Sequence, residues 1–184
     1  MKMDRRRLLQ LAAGFTIGQA ALGPRTAFAA PAGTGRVGDF DFLAGSWNVS
    51  HRRLKTPGGK DWESFTGEAT CFTILGGVGS VEELRVPARK WMGMGLRLLD
   101  VEQRIWSDYW VPAASGVLTT PGSMGVFENG VGTFLADDED GGKPIKVRGV
   151  WDRITKTSCR WQQAVSRDAG KTWEDGWFMD WVRA

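Results

Sequence analysis

From Phe40 to the C-terminus, short runs of β-branched and aromatic residues are interrupted about every eight to fourteen residues by Gly, Pro, Asn or Asp. No stretch of this region keeps apolar residues on a helical period for three turns, so helices cannot bury its apolar side chains. Strands can, and the expected fold is all-β: an antiparallel sandwich or barrel. Strands are expected near 46–55, 62–75, 79–86, 90–100, 105–111, 116–120, 124–128, 132–136, 144–154, 158–166 and 173–183. Asn129-Gly130 and Asp140-Gly141 supply the positive φ that tight hairpins need. Only 39–45 reads as a short helical turn.

Alternation then assigns faces. Trp47, Val49, His51 and Arg53 share one side of the first strand; Trp161, Gln163 and Val165 share a side near the C-terminus, as do Trp177, Met179 and Trp181. These sets carry the apolar residues and are expected to point inward. The first two mix aromatic with polar groups, and burying an unpaired amide, imidazole or guanidinium costs on the order of several kcal/mol. An interior with room for a guest or water relieves that cost.

The first 29 residues have a different character. Arg5, Arg6 and Arg7 precede the mostly apolar run 8–22, and Ala27-Phe28-Ala29 ends it as an A-x-A cleavage site. The apolar run is too short and mild to span a bilayer. Consecutive arginines followed by Leu8-Leu9 resemble a twin-arginine export signal, so 1–29 is expected to be a removed signal peptide, 30–39 a flexible linker and 40–184 one domain outside the cytoplasm, periplasmic or secreted. Removal takes away five of 24 basic and one of 21 acidic residues, leaving 19 and 20. A nearly neutral domain gives no electrostatic reason to expect nucleic acid or, after signal removal, a membrane as partner. Cys71 and Cys159 either bridge in an oxidising compartment or stay as buried thiols; the sequence leaves both open.

All ten tryptophans lie after the signal segment. Such density suits an aromatic-walled pocket for a flat or apolar molecule, and equally a small β-domain that fills its core with large rings. Gly45-Ser46-Trp47 heads the first strand, and here the chain resembles the lipocalin-like, or calycin, barrels, in which a Gly-x-Trp enters the first strand and the Trp closes one barrel end. Further motifs extend the resemblance over nearly the whole domain: His51-Arg52-Arg53-Leu54, Trp106-x-x-Tyr109-Trp110, Gly125-x-Phe127 with Gly130-x-Gly132-x-Phe134, Arg148-x-x-Trp151, and Trp161-x-Gln163-Ala164 running on to Trp173-Glu174-x-x-Trp177-x-Met179. With these the chain resembles an exported lipocalin-like family that has no settled activity; Gly176 departs from it where an asparagine is common. The resemblance implies a lipocalin-like, calycin-type antiparallel β-barrel of about ten strands. It carries no activity over to this chain.

Ser166-Arg167-Asp168-Ala169-Gly170-Lys171-Thr172-Trp173 also resembles the Asp-box of sialidase-type propellers. One copy cannot build a propeller, so its expected role is to brace a hairpin. His51 is the sole histidine, which leaves zinc without a ligand set; no metal is expected, and a haem with His51 as its axial ligand is the one cofactor alternative to none. No nucleophile elbow, phosphate loop or dinucleotide fingerprint occurs. The expected function is binding of a small apolar or aromatic molecule, with Trp47, Trp110, Trp151 and Trp161 as walls and His51, Arg53, Arg148 and Gln163 as orienting polar contacts. The alternative is an isomerase, hydratase or lyase on the same barrel, with His51 and an inward carboxylate as proton carriers. Glu82 and Glu83 are adjacent, so only one can face inward; Glu83 is taken as that one. Oligomeric state is not written in the sequence.

Overall fold

The computed structural model describes residues 33–184; the expected signal segment lies outside the described residues. Ten strands follow in chain order: β1 (Gly45–Leu54), β2 (Trp62–Ile74), β3 (Gly79–Val86), β4 (Trp91–Asp100), β5 (Ile105–Pro112), β6 (Ser123–Glu128), β7 (Val131–Asp140), β8 (Lys143–Asp152), β9 (Ser158–Ser166) and β10 (Glu174–Arg183). Each pairs antiparallel with the next, and β10 closes on β1. The result is an all-β, up-and-down barrel of lipocalin or calycin type, whose closure leaves no unpaired sheet edge.

Two expectations are corrected. Residues 116–120 are not a strand: 113–122 form the β5–β6 connection, in which Gly116 takes φ 65° and a Thr119 amide bond to the Trp110 carbonyl (2.9 Å) holds the loop to the barrel. The acidic run Asp137–Asp140, by contrast, extends β7 instead of ending it. It pairs with β8 opposite Lys143–Lys146, and Lys146 Nζ meets Asp137 Oδ1 at 2.5 Å. The hairpin turn falls at Gly141 and Gly142, with φ 60° and 80°, a conformation that side chains with a Cβ resist.

The barrel has unlike ends. At one, the 3-10 turn Asp41–Leu43 plugs the opening with Phe40 and Leu43, both fully buried. Trp47, Trp106, Trp151 and Trp181 fill the space above this plug and are also fully buried. Their rings meet edge-on or tilted, Phe40 to Trp106 at 4.9 Å and Trp151 to Trp181 at 5.5 Å between centroids. The floor is tied down by hydrogen bonds. Trp47 Nε1 donates to the Leu43 carbonyl (2.7 Å), Trp106 Nε1 to Asp39 Oδ2 (3.0 Å), and the Arg183 guanidinium, 3.9 Å above the Trp47 ring, donates to the Phe42 and Ala44 carbonyls.

Above this floor lies a buried ionic group. Arg97 Nη2 donates to Glu82 Oε2 at 2.5 Å, and Arg97 Nε lies 3.5 Å from Asp108 Oδ1. Two carboxylates share one guanidinium here, so the group contributes little net stability, but removing Arg97, or its close hydrogen-bonded partner Glu82, breaks it.

Candidate functional site

Inward-facing positions at the end opposite the plug form the candidate site. β1 brings His51 and Arg53, which pair across the strands with Phe65 and Glu63 of β2 and with Met179 and Trp177 of β10. Gln163 of β9 faces Trp177. Trp91, at the start of β4, completes the wall, 5.9 Å from Trp177 and 5.6 Å from Trp110 between ring centroids. Trp110 lies flat against the wall because β4 has glycine beneath it: a Cβ on Gly93 would come within 2.2 Å of the indole. A cleft of about 50 Å³ opens here, lined among others by Arg53, Trp91, Gln163, Arg167, Glu174 and Trp177. A wider, shallower hollow of about 760 Å³ indents the plugged end, but its walls are turn residues together with Phe42 and Phe127 of the floor packing. The mouth cleft is where aromatic faces and inward polar groups converge.

His51 is 2% exposed. It stacks on Phe65 (4.5 Å between centroids), and its Nδ1 accepts a hydrogen bond from Trp177 Nε1 at 3.2 Å. That bond places the imidazole proton on Nε2, which is buried beside Gly67. Burial, followed by the charges of Arg53 and Arg89, pushes the His51 pKa down to about 4, so the ring is neutral at physiological pH. Both arginines converge on one carboxylate: Glu63 Oε1 is 3.4 Å from Arg53 Nη2 and 2.8 Å from Arg89 Nη1. The Arg89 hydrogen bond is the main force holding the Glu63 carboxyl below its usual range. The guanidiniums also cover rings, Arg89 at 3.6 Å over Phe65 and Arg53 at 5.1 Å over Trp177.

The structure gathers His51, Arg53, Trp110, Trp161 and Gln163 on the inner wall of the open half. Trp161 meets Trp177 edge-on at 5.6 Å. Trp47 and Trp151 are inward too, but belong to the solid floor.

Two residues expected inside are outside. Glu83 faces solvent, with 55% of its side chain exposed and paired to Arg85 Nη1 at 2.6 Å; its neighbour Glu82, 3% exposed, is the inward one. The register decides this, since Cys71, on the inward set of β2, lies opposite Glu82. Arg148 is likewise on the outer wall, between inward Val147 and Gly149, where its guanidinium lies 4.4 Å from the Trp173 ring. Trp173 ends the Asp-box-like hairpin, which is a brace as expected: Asp168 accepts from Ser166 Oγ and from both the amide and the hydroxyl of Thr172.

Sequence reasoning missed Glu63, Phe65, Arg89 and Trp91 at the mouth. The alternation Trp91, Gly93, Gly95, Arg97 was the available signal for β4, since small residues on an inward face mark where rings from the next strand lie. Nothing in the spacing of the carboxylates singles out Asp108, which faces inward beside Arg97 with 19% of its side chain exposed and whose pKa burial raises to about 6 against the pull of Arg97. Cys71 and Cys159 are free, buried thiols pushed up to about 12 by burial. Among the described residues no cluster of three metal-binding side chains occurs. His51 Nδ1 is engaged by Trp177 and His51 Nε2 is buried.

Fold and site together define a closed up-and-down barrel with a sealed indole floor and an aromatic mouth edged by arginines. No protein-family model matches the chain, and no curated protein matches it in sequence.

Proposed function

We propose that the chain is an exported barrel that binds a small apolar or aromatic molecule at its open end. The observation that carries the reading is the asymmetry of the interior: one half is packed solid, while the other leaves a cleft between indole faces with Arg53 and Gln163 beside it. Partly exposed aromatic walls with a few convergent polar groups are what a site for a flat guest requires. Tryptophan fluorescence titrated with a panel of monocyclic aromatics tests it. Saturable quenching that disappears in Trp91→Ala supports the reading; no saturable change with any compound overturns it.

Export is part of the proposal, supported by Arg5-Arg6-Arg7, the apolar run and Ala27-Phe28-Ala29. Replacing Arg5, Arg6 and Arg7 by lysine should hold the full-length chain in the cytoplasm, whereas the natural chain should appear outside it with a mass matching cleavage after Ala29.

An enzymatic reading on the same barrel is favoured by one observation, Asp108, a partly accessible inward carboxyl raised to about 6 and so able to exchange protons near neutral pH. It replaces Glu83 as the candidate proton carrier, since Glu83 cannot reach the interior. Turnover of a bound compound that is lost in Asp108→Asn would establish this reading.

A further inference from the structure

The charges around the mouth specify the guest more closely than its aromatic walls do. The geometry points to a small planar organic anion, an aromatic carboxylate, as the occupant of the mouth cleft, with its ring against Trp91 and Trp177 and its carboxylate toward Arg53. This deepens the binding reading above and rests on it.

Of the charged side chains lining the cleft, two are guanidiniums, Arg53 and Arg167, and one is a carboxylate, Glu174. Arg167 is already paired at the rim, with Asp140 Oδ2 at 2.7 Å and with the exposed Glu174 at 3.7 Å, so the preference for an anion rests on Arg53 with Arg89 behind it. Behind the cleft, Glu63 already serves two arginines. His51 reports the sign of the field at this depth: after burial, the charges that oppose its protonation are those of Arg53 and Arg89. A cationic guest would be drawn by indole faces in general, but here Arg53 is already placed over Trp177 and Arg89 over Phe65, so an added cation meets like charge. A carboxylate is flat and matches the guanidinium fork, so it adds to the existing stack instead of displacing it. The cleft of about 50 Å³ restricts the guest to about one ring, seated partly at the rim.

The test uses the whole chain and three isosteres: benzoate, benzamide and benzylammonium. The readout is the indole N–H signals of Trp91 and Trp177 in NMR titrations. Benzoate should bind about tenfold more tightly than benzamide, as a charge-assisted hydrogen bond implies, with benzylammonium weakest. Raising the salt concentration should weaken benzoate and leave benzamide unchanged, and this comparison needs no variant. Arg53→Met, which keeps the apolar stem, should bring benzoate down to the level of benzamide. Equal binding of all three, or a preference for benzylammonium, overturns the anion assignment while leaving aromatic binding intact. If none moves those two indole signals, the binding reading itself fails.

Discussion

His51 is the only histidine of the chain, so its imidazole can be followed by itself through an acid titration. In the unfolded chain the imidazole protonates near its ordinary 6.5; in the folded chain it resists until about 4. The unfolded state therefore binds a proton that the native state refuses, and stability present above pH 6.5 is lost as pH falls toward 4. The gap corresponds to ~3 kcal/mol, with little solvent screening at 2% exposure. Asp108 works in the opposite sense: raised to about 6, its ionisation penalises the fold at higher pH and is relieved as pH falls. The total stability curve is consequently flatter than either contribution, and the histidine must be read by difference. Denaturant unfolding at about pH 7.5 and about pH 4.5 should show the natural protein losing ~2–3 kcal/mol more on acidification than His51→Gln. The imidazole C–H signals of this one histidine should titrate near 4 in NMR. A midpoint near 6.5, or equal acid loss in the two proteins, would refute the argument that burial and two arginines hold this ring neutral.

Glu82→Leu should destabilise by ~3–5 kcal/mol by leaving Arg97 short of a buried partner, while Glu83→Leu should change unfolding free energy by less than ~1 kcal/mol; similar losses would mean the β3 register is wrong. Gly93→Val puts a side chain where the Trp110 ring lies and should lower stability by at least ~2 kcal/mol, so an unchanged melting temperature would contradict the packing of that ring. Asp108→Asn should stabilise the fold above pH 6, by ~3 kcal/mol at most, with the gain fading toward pH 4; a gain of the same size at low pH would show that ionisation is not its source. Cys71 and Cys159 should not react with a thiol reagent until the barrel is unfolded, when both should; rapid reaction of the native protein would place them nearer solvent than they are here.

The strands were legible because β-strand formation leaves a local trace. Turn residues and two-residue alternation located nearly all of them and correctly sent Trp47, His51, Arg53, Gln163 and Trp177 inward. The errors share a cause. Residues 116–120 have strand-like composition but no neighbour to pair with over that span, and pairing is not a local property. Asp137–Asp140 has turn-like composition but finds the lysines of β8 opposite. Glu83 was assigned one residue out of phase, and a period of two turns a one-residue error into the opposite face; Arg148 was placed inside together with Trp151, although residues three apart on one strand face opposite ways.

What this sequence determines unaided is the all-β character, the inward set on each clearly alternating strand, and an excess of indole that must go inside, because these follow from backbone sterics and hydrophobic burial along the chain. Which tryptophans become floor and which become wall is decided only when ten strands close, for the 3-10 plug seals one end and not the other. The meeting of Arg53, Glu63 and Arg89 beside His51 is decided in the same way. Those residues come from β1, β2 and the turn before β4, and the field that holds the imidazole neutral exists only once they are brought within ångströms of each other.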